Sequence, residues 1–248
     1  MESSEIEISV LFNDIPGDPR LEIAHGLACL IEGKEQTILF DTGGDGHMLL
    51  ENMDKLGKDP ERVDIVIVSH QHWDHSGGLF TVLRATGPVR ALMPKAFVKD
   101  FVSHGARLGA QVTIVDGPIE IIPGVYSTGQ MGDDNTPRER REQSLVLDTA
   151  AGTAVLTGCA HPGIVEIVKR AKEIRPGEID IALGGFHLKE SEESTVSAVI
   201  KALKDLGVMR MGCSHCTGGP QTEMFQKAWQ NDFVPFGCGA NIRLQSRQ

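Results

Sequence analysis

One cluster of metal-binding residue types, directly after an apolar run, restricts the fold more than any other feature of the sequence. Residues 64–79 read DIVIVSHQHWDHSGGL, so an apolar run typical of a buried strand leads into three histidines and an aspartate within six residues. Residues two apart in an extended chain share a face, so we expect His70, His72 and Asp74 to point the same way. His75 should follow where glycines turn the chain into a helix.

The spacing of this cluster predicts two metal ions. Two imidazoles at positions i and i+2 can bind one ion, here His70 and His72. The carboxylate of Asp74 and the imidazole of His75 can bind a second ion a few Å away. A polar strand end with scattered histidines is the alternative interpretation, but so dense a cluster is a rare coincidence in a chain with nine histidines. We therefore expect two divalent metal ions here.

Strand-like and helix-like runs alternate along the rest of the chain, which indicates an α/β protein. QSLVLDTAAGTAVLTGC, at 143–159, predicts a hairpin, and PGIVEIVKRAKEI, at 162–174, predicts an amphipathic helix. A strand-helix-strand-helix series follows. This plan predicts two sheets packed face to face with helices on the outer faces, in a single domain over 1–248. The long polar stretch at 129–143 should be a loop inside that domain.

Composition restricts the partners. A net charge of −10 and a pI near 5.4 disfavour nucleic acid, which needs clustered lysine and arginine. No apolar run reaches the ~18 residues of a membrane span, and no signal-peptide pattern is present. The five cysteines are irregularly spaced, which predicts reduced thiols. We expect a cytoplasmic protein that acts on a small molecule, without nucleic acid or membrane partners; its oligomeric state stays open.

Four motifs together resemble the metallo-beta-lactamase superfamily, whose hallmark H-x-H-x-D-H is present as HQHWDH. The others are FDTG at 40–43, TGCAHPG at 157–163 and GCSHCTGG at 212–219. The resemblance implies an αββα sandwich, with two mixed sheets and a dinuclear metal site at one edge of them. More narrowly, AHGLACLIE, TGCAHPGIVEIV, GGFHL and SHCTG resemble the subgroup of dihydropterin ribofuranosylaminobenzene phosphate synthase-like proteins. One fold hosts many chemistries, so this subgroup does not define the reaction.

The resemblance also implies further site residues. His161 and His215 match positions of metal ligands in the superfamily. His187 also ends a strand-like run, and it could be a ligand, a proton donor or a residue that supports a ligand. For His25, contact with the substrate and plain burial are both open. Asp41 should support a ligand histidine through the second ring N–H rather than bind metal itself.

This chain departs from the superfamily pattern at two positions. Many members have a histidine before the second hairpin and an aspartate after TG that bridges both metals. Residues 126–143 contain no histidine, and Cys159 follows TG. His161 should therefore take the first-metal role, and the bridging carboxylate is either missing or replaced by Cys159. A thiolate favours zinc, whereas a set made only of histidines and aspartate suits iron or manganese equally well. We expect zinc, with iron or manganese as the alternatives.

Two further groups have both a structural and a functional interpretation. Cys213 and Cys216 form C-x-x-C, but a structural zinc usually needs a second pair, so we expect packing residues. Arg138, Arg140 and Arg141 form either a solvated charge run or a phosphate contact, because guanidinium groups suit phosphate oxygens.

The chemistry that best fits these residues is metal-assisted hydrolysis of a small substrate, with preference for one that contains phosphate. Asp74 would orient the attacking water, and His187 would protonate the leaving group. The subgroup implies an alternative, a transferase or lyase that acts on a phosphorylated ribose compound. A third possibility is an iron-binding redox or ligand-sensing protein.

Overall fold

Thirteen strands and seven helices are present in the part of the chain that the computed structural model describes, residues 5–33 and 35–245. Residues 1–4, 34 and 246–248 of the predicted single domain lie outside it. The strands are β1 (Glu5–Asn13), β2 (Leu27–Glu32), β3 (Ile38–Phe40), β4 (Ile65–Ile67), β5 (Arg90–Pro94), β6 (Gln111–Val115), β7 (Ile119–Ile122), β8 (Val125–Ser127), β9 (Leu145–Thr149), β10 (Gly152–Thr157), β11 (Ile179–Gly185), β12 (Val208–Ser214) and β13 (Asn241–Gln245).

These strands form two mixed sheets. The first has seven strands in the order β13-β1-β2-β3-β4-β5-β6, antiparallel from β13 to β3 and parallel from β3 to β6. The second has six strands in the order β12-β11-β10-β9-β8-β7. The predicted hairpin is the antiparallel pair β9 and β10, and β10, β11 and β12 run parallel. Parallel neighbours place several carboxyl ends at the same edge.

Helices cover the outer faces of the two sheets. They are α1 (Gly46–Lys55), α2 (Trp73–Ser76), α3 (Leu79–Thr86), α4 (Lys99–Arg107), α5 (Ile164–Ile174), α6 (Glu193–Asp205) and α7 (Gly219–Trp229). Side chains of α1 and α3 pack on the first sheet, and side chains of α5, α6 and α7 pack on the second. The predicted αββα sandwich is confirmed. Among the described residues, no helix has the length and apolarity to cross a membrane.

The period of the strands explains these layers. Along β2, Leu27, Cys29 and Ile31 enter the core between the sheets, whereas Ala28 and Leu30 enter the core under the helices. Successive side chains of a strand point to opposite faces, and both faces are buried here, so β2 is apolar from Leu27 to Ile31. A register slip of one residue would exchange the two sets, so packing fixes where each strand ends.

Candidate metal centre

The predicted site residues lie together at one edge of the two sheets, on the loops that follow strand ends or precede β2. They are His25 before β2, Asp41 after β3, His70, His72, Asp74 and His75 after β4, Cys159 and His161 after β10, His187 after β11, and His215 after β12. Ligands from such distant parts of the chain meet because parallel strands end side by side.

One local expectation was wrong. The cluster after β4 is not extended throughout: His72 is the last extended residue, and α2 begins at Trp73. Asp74 therefore projects from a helical turn and not from the strand face. The close approach of Gly78, where an added Cβ would lie 2.2 Å from the carbonyl oxygen of Thr42, shows how tightly this turn packs. The helical turn lets both Asp74 and His75 point inward, where they are buried.

Three imidazoles form a first ligand set. His70 Nε2 lies 3.1 Å from His72 Nδ1, and His161 Nε2 lies 3.2 Å from the same atom. Two ligands of a tetrahedral Zn²⁺ at ~2.0–2.1 Å from the ion are about 3.4 Å apart. Both distances to His72 Nδ1 therefore fit ligands of one metal ion, and the role of His161 as a ligand of that ion stays a prediction.

A second set joins Asp74, His75 and His215. Asp74 Oδ2 lies 3.4 Å from His75 Nε2 and 3.3 Å from His215 Nε2, and the two nitrogens are 3.2 Å apart. These separations also match the edges of a tetrahedron around one ion. The side chains of both histidines are fully buried. We call the two sets the first triad (His70, His72, His161) and the second triad (Asp74, His75, His215).

Cys159 lies between the two triads. Its Sγ is 3.1 Å from His75 Nε2, and it is within 4.8 Å of ligand atoms from both sets. The position is the one that a bridging ligand would need. Of the two possibilities that the sequence left open, the geometry favours replacement of the bridging carboxylate by this thiol. Sulfur and nitrogen donors together suit zinc.

The pKa shifts of the triad residues are those expected of a site that binds cations. Burial and the neighbouring histidines lower the pKa of His70 well below its usual value, and burial with His187 and His72 lowers the pKa of His161 to about 3. Burial also lowers the pKa of His75, but the carboxylates of Asp41 and Asp74 outweigh it and raise that pKa well above the usual value. The first triad thus offers neutral nitrogen lone pairs, and the buried carboxylates attract positive charge, which metal ions can supply.

Asp41 is placed to support the ligands. Its Oδ2 accepts from His75 Nδ1 at 2.7 Å and from the hydroxyl of Ser69 at 2.7 Å. The Ser69 hydroxyl oxygen is also 2.9 Å from His70 Nδ1. One carboxylate thereby orients a histidine in each triad, as its proposed supporting role requires.

Asp14 is placed to support the second triad, because it contacts the ring nitrogen of His215 that faces away from Asp74. Sequence reasoning missed this residue. Its two oxygens lie 3.2 Å from His215 Nδ1 and 3.2 Å from His25 Nδ1. His25 Nε2 is in turn 3.3 Å from Asp74 Oδ2. Asp14 comes from the loop after β1, 201 residues from His215, so no local pattern indicated the contact.

Glu142 is the second residue that sequence reasoning missed. It is 1% exposed and accepts five hydrogen bonds from the turn 157–161. Its Oε1 accepts from the Thr157 hydroxyl at 3.0 Å and from the N–H groups of residues 158, 159 and 160 at 3.0, 2.9 and 3.1 Å. Its Oε2 accepts from the His161 N–H at 3.0 Å. In the hairpin, Leu145 pairs with Leu156. If the same antiparallel register is continued beyond the strands, Glu142 lies opposite the turn 157–161. The predicted hairpin could therefore have pointed to Glu142.

A cavity of about 490 Å³ opens beside the second triad. Arg140 and Lys189 line it together with His25, His187 and His215. The neighbouring Arg141 instead forms an ion pair with Asp134 at 3.4 Å, and Arg138 is exposed. Only one of the three predicted arginines therefore lines this cavity, and Lys189, two residues after His187, adds a second cation.

The two cysteines of the C-x-x-C sequence have different surroundings. Cys213 packs among the apolar residues under α7, and burial raises its pKa to about 12. The packing expectation was wrong for Cys216, whose Sγ accepts from the His187 N–H at 3.2 Å and lies within 4.8 Å of Cys159 Sγ. The chain turns sharply just before Cys216, since His215 has φ +54. His187 is 4.3 Å from His161, measured between ring centroids.

Comparison with known proteins identifies the family of this fold. A sequence model of the metallo-beta-lactamase superfamily matches residues 24–165. A relative from Methanocaldococcus jannaschii, named 7,8-dihydropterin-6-methyl-4-(beta-D-ribofuranosyl)-aminobenzene-5'-phosphate synthase, is 30% identical and aligns over 89% of this chain and 90% of its own. The structure also resembles that of a metal-dependent hydrolase of the beta-lactamase superfamily, with 25% identity, a TM-score of 0.79, and coverage of 96% and 98% of the two chains.

The metallo-beta-lactamase fold protein YhfI from Bacillus subtilis shares the fold at 13% identity, with a TM-score of 0.70 over 96% of this chain and 99% of that one. The superfamily match covers the first triad and Cys159, and the structural matches extend over the remaining strands. The chain therefore belongs to the metallo-beta-lactamase superfamily.

Proposed function

We propose that this protein is a metal-dependent hydrolase of a small molecule that carries a phosphate group. The proposal depends on one observation: two triads with metal-ligand spacing lie on either side of Cys159, and His215 of the second triad lines a cavity together with Arg140 and Lys189. Divalent cations bound by the triads would supply Lewis acidity and lower the pKa of water toward ~7.

The residues of the chain supply orientation and proton transfer. Asp74 would orient the attacking water, since its Oδ2 lies at the second triad and its side chain is 9% exposed. His187 would donate a proton to the leaving group, because it lines the cavity and its ring is next to that of His161. Asp41 and Asp14 would hold the ligand histidines in position.

The choice of an anionic substrate follows from local charge. The net charge of −10 repels anions at long range, but charges beyond the Debye length of ~8 Å are screened at physiological salt. Within that distance the cavity presents Arg140 and Lys189 beside the carboxylates of Asp14 and Glu190, so the positive charge that would favour an anion comes from the metal cations that the triads would bind. Guanidinium and ammonium groups both suit phosphate oxygens.

A synthase-like transferase or lyase reaction is the second candidate, and the 30% identical relative favours it. The name of that relative contains a 5'-phosphate, so both candidates share a phosphate-bearing substrate. The two reactions differ in the bond that changes. Hydrolysis of a phosphomonoester releases phosphate and an alcohol, whereas the second reaction forms a carbon–nitrogen or carbon–carbon bond.

Turnover by the metal-loaded protein tests the proposal. We would compare a phosphomonoester, a phosphodiester and a lactone of similar size, with Arg140→Ala and the control Arg138→Ala. We expect the phosphoesters to react faster than the lactone, and Arg140→Ala to lower phosphoester turnover about 10- to 100-fold, because a hydrogen bond to a charged group contributes about 1.5–3 kcal/mol. Arg138→Ala should have little effect. Faster lactone turnover, or equal effects of the two arginine changes, would contradict the proposal.

A further inference from the structure

Trp73 is exposed although tryptophan is usually well buried. At 64% exposure it is the most exposed large apolar side chain among the described residues; Ile114, at 47%, is next. It lies between His72 and Asp74, one ligand candidate from each triad, and neither the proposed chemistry nor the core uses its indole ring.

The backbone of Gly44 holds the indole ring at the surface. A Cβ added to Gly44 would lie 2.2 Å from Cζ3 and 2.6 Å from Cε3 of Trp73. The ring therefore rests directly on the loop between β3 and α1, where any side chain at position 44 would displace it. An exposed ring that is fixed in this way loses little conformational entropy when a ligand binds to it.

His25 connects this ring to the metal centre. The ring centroids of His25 and Trp73 are 6.2 Å apart with their planes at 48°, and those of His25 and His215 are 4.6 Å apart. Both ring nitrogens of His25 contact carboxylates, Asp14 at 3.2 Å and Asp74 at 3.3 Å, and its side chain is 52% exposed. A row of rings thus leads from solvent to the second triad.

We propose that Trp73 and His25 form a subsite for a planar aromatic ring of the substrate. A third ring stacked on one of them would lie at 48° to the other, so the pair offers one stacked contact, an arrangement that aromatic pairs prefer, and one tilted contact. The subsite rests on the proposed function in one respect: the ring belongs to the same molecule whose phosphate would bind at the triads. The ring and the phosphate are then joined directly or through a short linker, since His25 contacts the ring of His215.

Two phosphonates that resist hydrolysis test the subsite by binding alone. Phenylphosphonate and cyclohexylphosphonate have similar size and the same charged group, and only the first has a planar aromatic ring. Their dissociation constants would be measured by calorimetry on zinc-loaded protein, and variants would be compared at equal metal content. An aromatic contact of about 0.5–1.5 kcal/mol predicts about 2- to 12-fold tighter binding of phenylphosphonate.

The variants assign this preference to one side chain. Trp73→Leu should remove the preference, and Trp73→Phe should retain most of it. Trp229→Phe is the matched control, because Trp229 is 5% exposed and is the second of the two tryptophans. In that variant Trp73 is the sole indole, so phenylphosphonate should change its fluorescence more than cyclohexylphosphonate does.

Three outcomes would overturn the subsite: no aromatic preference in the unaltered protein, the same preference in Trp73→Leu, or failure of both phosphonates to bind. The proposed function fails separately. If no phosphoester is hydrolysed but the aromatic preference depends on Trp73, the subsite stands and the hydrolase is rejected. If phosphoesters are hydrolysed but one of these three binding outcomes is found, the hydrolase stands and the subsite is rejected.

Discussion

Replacement of Glu142 by glutamine tests how the turn 157–161 is held. Glutamine keeps one oxygen for the four donors on Oε1, but its amide N–H₂ would face the N–H of His161, 3.0 Å from the present Oε2. Leaving a buried donor unsatisfied costs about 1–3 kcal/mol, and the other four bonds lose their charge assistance. We expect Glu142→Gln to lower the free energy of unfolding by about 2–4 kcal/mol.

A competing effect acts in the opposite direction. Burial raises the pKa of Glu142 above its usual value, although the N–H donors of the turn lower it. Removing a buried charge can stabilise a protein when its partners are poor. Five hydrogen bonds at 2.9–3.1 Å are good partners, so we expect their loss to dominate.

Urea unfolding of metal-free protein measures this free energy without a contribution from metal binding. Metal analysis of each variant then reports the consequence for the site, where the first triad should lose affinity because it contains His161. Glu139→Gln is the control, since Glu139 is an exposed glutamate of the same loop. Unchanged or increased stability of Glu142→Gln, together with full metal content, would refute the reasoning.

Three further predictions concern the metal centre. Asp41→Asn should weaken metal binding by about 10- to 100-fold, measured by competition with a chelator, because the amide lacks the negative charge that faces His75 Nδ1 and replaces one of the two accepting oxygens of Asp41 with an NH2 donor. Unchanged affinity would contradict this. His161→Ala should abolish activity, whereas Cys159→Ser should retain part of it. Cys159→Ser should also shift the metal preference of the site from zinc toward manganese. A greater loss of activity in Cys159→Ser than in His161→Ala would make the thiol the more important ligand. Removal of metal by chelation should lower the free energy of unfolding by about 4 kcal/mol, relative to protein in free metal ion at 1,000 times its dissociation constant. An unchanged unfolding curve would show that the triads bind no ion.

Strong local patterns made most of the fold predictable. The hairpin β9–β10 and the helices α1, α5 and α6 follow from alternation or helical periodicity together with their bounding glycines. The helical turn at Asp74 was not predicted, because the approach of two glycine-rich loops decides it and the spacing of the histidines does not.

The candidate site was predictable only where residue chemistry marks it. Histidines at strand ends pointed to both triads. Asp14 has no local signal in the sequence, and it matters because the fold brings it to His215. For Glu142 the sequence offered only the register of the predicted hairpin, which places it opposite the turn after β10. Cys216 lies near Cys159 because the fold brings the turns after β10 and β12 together, which a sequence pattern does not specify.

Metal content tests the central claim most directly. Protein purified without chelator should contain between one and two transition-metal ions per chain by elemental analysis. His72→Ala should lose most of the ion at the first triad, and His215→Ala should lose most of the ion at the second, because each change removes one of three converging ligands. An unaltered protein that stays metal-free after incubation with zinc, manganese and iron would contradict the account.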